Sequence, residues 1–146
     1  MECKDVFITL DDKHSLHMFG ENKPYHFVAL LPQQIYIKES NRIALLEFSS
    51  LLNKAAFDNK KNNQNKLYIY CNMIQEQPTQ GTMEKLLRTV DIQNQNNITI
   101  FNDFMQLRYM PVKSGFYDYV EIFINYGKDE KASFLDSPCT LTLHII

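Results

Sequence analysis

The stretch that most constrains the fold is "CTLTLHII", in which Cys139, Leu141, Leu143 and Ile145 alternate with Thr140, Thr142, His144 and Ile146. A period of two sends alternate side chains to opposite faces of an extended strand, whereas a helix needs apolar residues three and four apart. The alternation recurs along the chain. "DVFITL" sets Val6, Ile8 and Leu10 against Phe7 and Thr9, and "LYIYCNMI" sets Leu67, Ile69, Cys71 and Met73 against Tyr68, Tyr70, Asn72 and Ile74. Because neither side of that second segment is wholly polar, both of its faces are expected to be covered. "YHFVALL" and "QIYIK", punctuated by Pro32, are further strand segments, as are "NRIALLEF", "NITIF", "QLRYMPV" and "YDYVEIFINY".

Roughly eight or more short strands with turn signals between them predict an all-β fold: an antiparallel β-sandwich, single and jelly-roll-like. Helical signal is thin. "SSLLNKAAF" offers serine N-caps before a short apolar run, and "TMEKLLRTV" reads as a turn of helix or another strand, so at most one or two short helices are expected. At 146 residues, with no internal repeat or linker, the expectation is a single domain over 1–146.

An apolar strand at the end of the sequence is stable only if its backbone groups are paired. "CTLTLHII" is therefore expected inside a sheet, bonded along both edges or covered by a neighbouring subunit, with "VEIFINY" as its partner across a hairpin turn in "NYGKDEKAS". Hiding Leu141, Leu143 and Ile145 contributes roughly 1.5 to 3 kcal/mol each. Deletion of the segment is expected to unfold the domain.

Charge and composition narrow the function. Lys and Arg number 15 against 17 Asp and Glu, a net charge of -2, which supplies no field for a phosphate backbone, so no nucleic-acid partner is expected. The one local basic run, "DNKKNNQNK", lacks interleaved aromatics and reads as a solvated loop. Neither a secretory leader nor a membrane-spanning stretch is evident, so synthesis in the cytoplasm and no membrane association are expected. Cys3, Cys71 and Cys139, odd in number and widely spaced, fit neither a disulfide framework nor a zinc site and read as idle or buried thiols.

Chemistry-bearing patterns are sparse. His14 and His17 in "HSLH" lack a third ligand at a recognisable spacing, and His26 and His144 fall within strand patterns. No G-x-S-x-G elbow and no glycine-rich phosphate loop are present. Asp11, Asp12, Asp91, Asp103, Asp118, Glu121, Asp129 and Glu130 fall mostly at strand ends and turns, where Asp serves local hydrogen bonds. No catalytic residue, metal ligand or cofactor site is assigned, and no enzymatic activity is expected.

Aromatic residues are the anomaly, with 8 Tyr and 10 Phe but no Trp. In "GFYDYVEIF", strict alternation sends Phe116 to one side and Tyr117, Tyr119 and Phe123 to the other. Such faces suit a protein interface, where the ring buries area and the hydroxyl keeps a partner, and they suit a core equally. The candidate assembly interface is Tyr68, Tyr70, Phe116, Tyr117, Tyr119 and Phe123, with Leu141, Leu143 and Ile145 of the terminal strand.

The segments, taken in order, resemble a family of virion structural proteins carried by Polinton (Maverick) elements and adintovirus-like viruses. The opening carries it at Phe7, Thr9, Leu10, Ser15, Phe19, Asn22, Phe27, Leu31, Pro32 and Ile35, followed by Ala44, Leu45 and Glu47. "LYIYCNMIQEQPTQGTMEKLLRTV" is similar at Leu67, Tyr68, Tyr70, Cys71, Gln77, Gly81, Leu86, Leu87, Arg88 and Val90. The closing part matches at Pro111, Val112, Phe116, Glu121, Ile122, Ser133, Phe134, Pro138, Thr142, Leu143 and His144. The family's tryptophan-containing segment is replaced by "SNRIALL", and the longer middle region of larger members is absent. The resemblance implies a minor capsid, penton-like subunit of a virion: a single jelly roll that forms a homo-oligomer, pentamer or trimer, and contacts other capsid proteins. The alternative it leaves open is an attachment or fibre-knob-type module that binds a receptor or glycan.

Overall fold

A computed structural model describes residues 5–59, 66–92, 99–127 and 129–146. The strands are β1 (Val6–Asp11), β2 (His26–Ile37), β3 (Arg42–Leu52), β4 (Lys66–Cys71), β5 (Gln77–Thr79), β6 (Thr82–Glu84), β7 (Leu86–Asp91), β8 (Thr99–Asp103), β9 (Met110–Pro111), β10 (Gly115–Tyr126) and β11 (Leu135–Ile145). The short helix α1 spans Lys54–Asn59.

One sheet runs β1-β11-β3-β8, with β9 also on β3, and the other runs β2-β10-β4-β7; every pairing is antiparallel. The chain changes sheet at almost every step; it stays in one from β4 to β7, where the β5–β6 hairpin intervenes, and from β8 to β9, which both pair with β3. This is the strand order of a jelly roll, two Greek keys wrapped into a sandwich. The fold is an all-β antiparallel sandwich, as the alternation predicts.

The inward row of each central strand makes the core. Leu141, Leu143 and Ile145 of β11 face Val120, Ile122, Ile124 and Tyr126 of β10 across the sandwich, and all are fully buried. This corrects two readings of the terminal segment. Its place inside a sheet is right, because β11 lies between β1 and β3, but "VEIFINY" is not its partner. Both strands carry an apolar inward row, so the lowest-energy arrangement faces the two rows rather than pairing them edge to edge. The segment joining them crosses between layers, with a local bridge between Asn125 and Lys131. Leu141, Leu143 and Ile145 are likewise withdrawn from the interface, since the subunit's own core has consumed their surface.

Other boundaries move for local reasons. Ser49 and Ser50 remain in β3, and Asn53 caps α1 by accepting the Ala56 N–H at 3.2 Å. "TMEKLLRTV" forms β6 and β7, and of "QLRYMPV" only Met110–Pro111 joins a ladder. Of "NITIF", Thr99 onward forms β8, while 60–65 of the basic run, along with Cys3, lie outside the described residues.

Candidate assembly surface

The outer face of the β2-β10 pair holds the aromatic anomaly. Four cross-strand pairs succeed one another on it: Phe116 with Tyr36, Tyr119 with Leu30, Glu121 with Val28, and Phe123 with His26. Phe116 is the most exposed, at 69%, and tilts against the Tyr36 ring at 4.8 Å. Phe123 stacks on the His26 imidazole at 3.9 Å, and His26 Nε2 sits 2.8 Å from Glu121 Oε2. Tyr119 and Leu30 stand exposed in the middle. The result is an apolar strip on the outer face of the sheet, with the His26–Glu121 contact set among its rings.

An irregularity in the ladder makes this strip. Tyr117 pairs with Ile35 and Tyr119 with Leu30, so Asp118 on β10 opposes the run from Leu31 to Gln34 on β2, which contains Pro32. Pro32 supplies no N–H, so a regular ladder cannot pass it. Gln34 Nε2 donates to Asp118 Oδ1 at 3.2 Å across the break. Five steps along β2 match two along β10, an odd mismatch, and the facing of β10 side chains changes parity across it. Phe116, Tyr119 and Phe123 therefore share the outer face, while Tyr117 turns inward against the core. This overturns the split read from strict alternation, in which Tyr117 joined Tyr119 and Phe123. The Tyr117 hydroxyl donates to the Lys113 carbonyl at 2.6 Å, and burial raises its pKa above the usual 10.

Tyr70 and Tyr68 extend the outer face onto β4, as register partners of Phe123 and Asn125. Both are half-buried, because the β5–β6 hairpin supplies their hydroxyl partners. Tyr70 donates to Glu84 Oε2 and Tyr68 accepts from Gln80 Nε2, each at 3.2 Å. Burial, reinforced by the Glu84 carboxylate, holds the Tyr70 hydroxyl well above its usual range. Both faces of β4 are thus covered, as its sequence predicts. Leu30, Tyr36 and His26 belong to the strip but escaped sequence reasoning. The adjacent Leu30 and Leu31 before Pro32 are the visible signal, since two neighbouring leucines in a strand cannot both face the core.

The residues weighed for chemistry are spent on architecture. Asp11 Oδ1 accepts the N–H groups of Lys13 and His14 at 2.8 and 2.6 Å, a local turn. Asp12, buried, accepts the Cys139 N–H at 2.8 Å and the Ser137 hydroxyl, tying the loop after β1 to β11. On the opposite outer face His144 is stacked under Phe7 at 4.4 Å, with the Tyr109 hydroxyl 2.9 Å from Nδ1. His14 and His17 are exposed in the turn. Among the described residues no group of three or more His, Cys, Asp or Glu side chains converges as a metal site, and no helix is long and apolar enough to cross a membrane. Cys71 and Cys139 are buried, and burial pushes the Cys71 thiol up to about 12, away from nucleophilic use.

No protein-family model matches the chain, and no curated protein matches it. The reading of its role accordingly rests on its own residues.

Proposed function

We propose that this protein is a non-enzymatic structural subunit of a virion or virus-derived particle, a minor capsid, penton-like chain that self-associates through the outer face of β2-β10. The observation that carries the proposal is the exposed strip of Phe116, Tyr36, Tyr119, Leu30 and Phe123. A contiguous apolar strip flanked by polar groups is the signature of a protein contact. Jelly rolls recur in viral capsid domains, and the family resemblance of the sequence points the same way. Fold alone would not suffice, because lectins and cupins share the architecture.

An attachment role would call for unsatisfied polar groups facing a ligand. The hollow of about 340 Å³ beside His26 is lined by Met18, Phe19, Glu21, Asn22 and Glu121. There the Asn22 amide is committed to the Val28 backbone, and His26 and Glu121 bond each other. That commitment favours assembly over sugar recognition.

Light scattering over a concentration series tests the proposal. The expected result is a discrete oligomer, trimer or pentamer, whose mass is lost in the triple variant Phe116→Ser, Tyr119→Ser, Phe123→Ser while circular dichroism stays unchanged. A wild-type monomer at every concentration, or an oligomer indifferent to the triple variant, overturns it.

A further inference from the structure

The two outer strands on one side of the sandwich differ in how their free edges are treated. Asn22 closes β2, accepting the Val28 N–H and donating to the Val28 carbonyl, both at 2.9 Å. Ser15 Oγ accepts the Leu30 N–H at 2.8 Å, and the Lys23 backbone bonds both polar groups of His26. Pro32 follows. These are the devices by which natural sheets block pairing with another chain. β1 has none of them. From Val6 to Leu10 it carries no Pro, no charge and no bulge, it pairs with β11 alone, and among the described residues nothing bonds its other edge.

Beside that edge lies a cleft of about 260 Å³ between β1 and β2, walled by Val6, Ile8, Leu31, Pro32 and Ile35 and lined by no charged side chain. Val6 and Ile8 point inward but remain half-buried, since among the described residues no strand completes the layer beside them.

We propose that β1 is a homotypic docking edge: a second copy of this chain adds its own β1 antiparallel to it about a two-fold axis, joining two β1-β11-β3-β8 sheets into one. The sequence "VFITL" is its own complement, extended, uncharged and alternating, which is what an uncharged edge with an apolar cleft accepts. Charge selects the register. Centring on Ile8 would set Asp5 opposite Asp11 of the second copy, twice, and centring on Thr9 would set Phe7 opposite Asp11. Centring on Phe7 avoids both. It sets the two Phe7 rings together above the His144 pair and lays Val6 beside Ile8 of the second copy, over the mouths of the clefts.

This contact is separate from the aromatic strip and does not rest on it. Opposed residues in an antiparallel pair have Cα atoms about 4.5 to 5.5 Å apart, within disulfide reach. Phe7→Cys in a Cys3→Ser background, oxidised with glutathione disulfide, is expected to give a covalent dimer, whereas Thr9→Cys is not. The cross-link is expected to survive the triple variant of the aromatic strip, and Phe7→Lys is expected to weaken self-association about tenfold or more. Cross-linking at neither position, or equally at both, overturns the proposal even if Phe7→Lys fails to fold. So does a cross-link lost with the triple variant, because the contact would then belong to the other face.

Discussion

Where β7 meets the segment after β8, Arg88 points into the sandwich as the register partner of inward-facing Ile69, lays its guanidinium 3.8 Å from the centre of the Phe104 ring and donates to the Gln106 carbonyl at 2.8 Å. Where β1 meets β2, the layers part over a cleft with Val6 and Ile8 left half-buried. One edge is sealed by the chain's own cation and the other is left to be completed. An inward-pointing charge on an edge strand does two jobs, since it bonds across the layers and makes strand addition costly. Desolvation, with Arg108 nearby, lowers the Arg88 pKa, the mark of a cation drawn into a partly dry site. The difference teaches that the two ends of the sandwich are closed by different means, and the unguarded end is the one on which the proposed strand addition rests.

The largest break in that comparison comes from Arg88→Ala. Loss of the ring contact and of a charge-assisted hydrogen bond is expected to reduce stability by about 2 to 3 kcal/mol in urea denaturation, with the sealed edge opening. A loss under about 0.5 kcal/mol would mean that Phe104 closes the edge by packing alone. Asn22→Ala is next. It strips both partners from Val28, and an expected cost of about 1 to 2 kcal/mol is accompanied by more concentration-dependent association than the wild type shows, as the β2 edge is exposed. If mass rises with concentration no further than in the wild type, the Asn22 clamp is only a loop anchor.

A third measurement separates edges from interior. Cys71 lies in β4, between β10 and β7, with its thiol raised from the usual 9 to about 12 by burial. A raised folded-state value means the thiol form is favoured by folding. Its contribution is complete below the unfolded value and is lost as pH climbs from about 9 to about 12. Stability is expected to drop by about 1 kcal/mol near pH 10 and to drop less in Cys71→Ala. The same alkaline slope is expected in Arg88→Ala, since the edge does not feel this titration. Unequal slopes would show that edge and interior fail together.

Much of this was legible in the sequence. Period-two alternation located the strands, and the apolar rows of "LYIYC" and "CTLTLHII" identified inward positions that the fold buries. What escaped were non-local decisions. Pairing order depends on which strands share a sheet, and two strands with equivalent apolar rows can either pair or face each other. A local pattern does not distinguish the two, which is why the sequence points to β10 as the partner of β11 when the fold sets it opposite. The parity of Phe116 and Tyr117 turns on the ladder break at Pro32, where four β2 residues oppose Asp118, visible only once two distant segments are aligned. The guards on β2 are likewise contacts between a loop and a strand edge, made by residues that read as ordinary turn formers.

The smallest expected effect is at Thr9, and it is the most direct check that β1 is a spare edge rather than part of the subunit's own support. Thr9 Oγ1 lies 3.3 Å from Thr142 Oγ1, which in turn donates to Glu47 at 3.2 Å along the polar outer row. Thr9→Val keeps shape and strand preference while removing one exposed hydroxyl whose partner retains Glu47. The stability of a dilute, monomeric sample is expected to change by less than about 0.5 kcal/mol. A loss of about 2 kcal/mol would place the Thr9 hydroxyl within a coupled network that β1 needs to stay docked on β11. The edge would then be part of what holds the subunit together, and strand addition beside it would have to preserve that network.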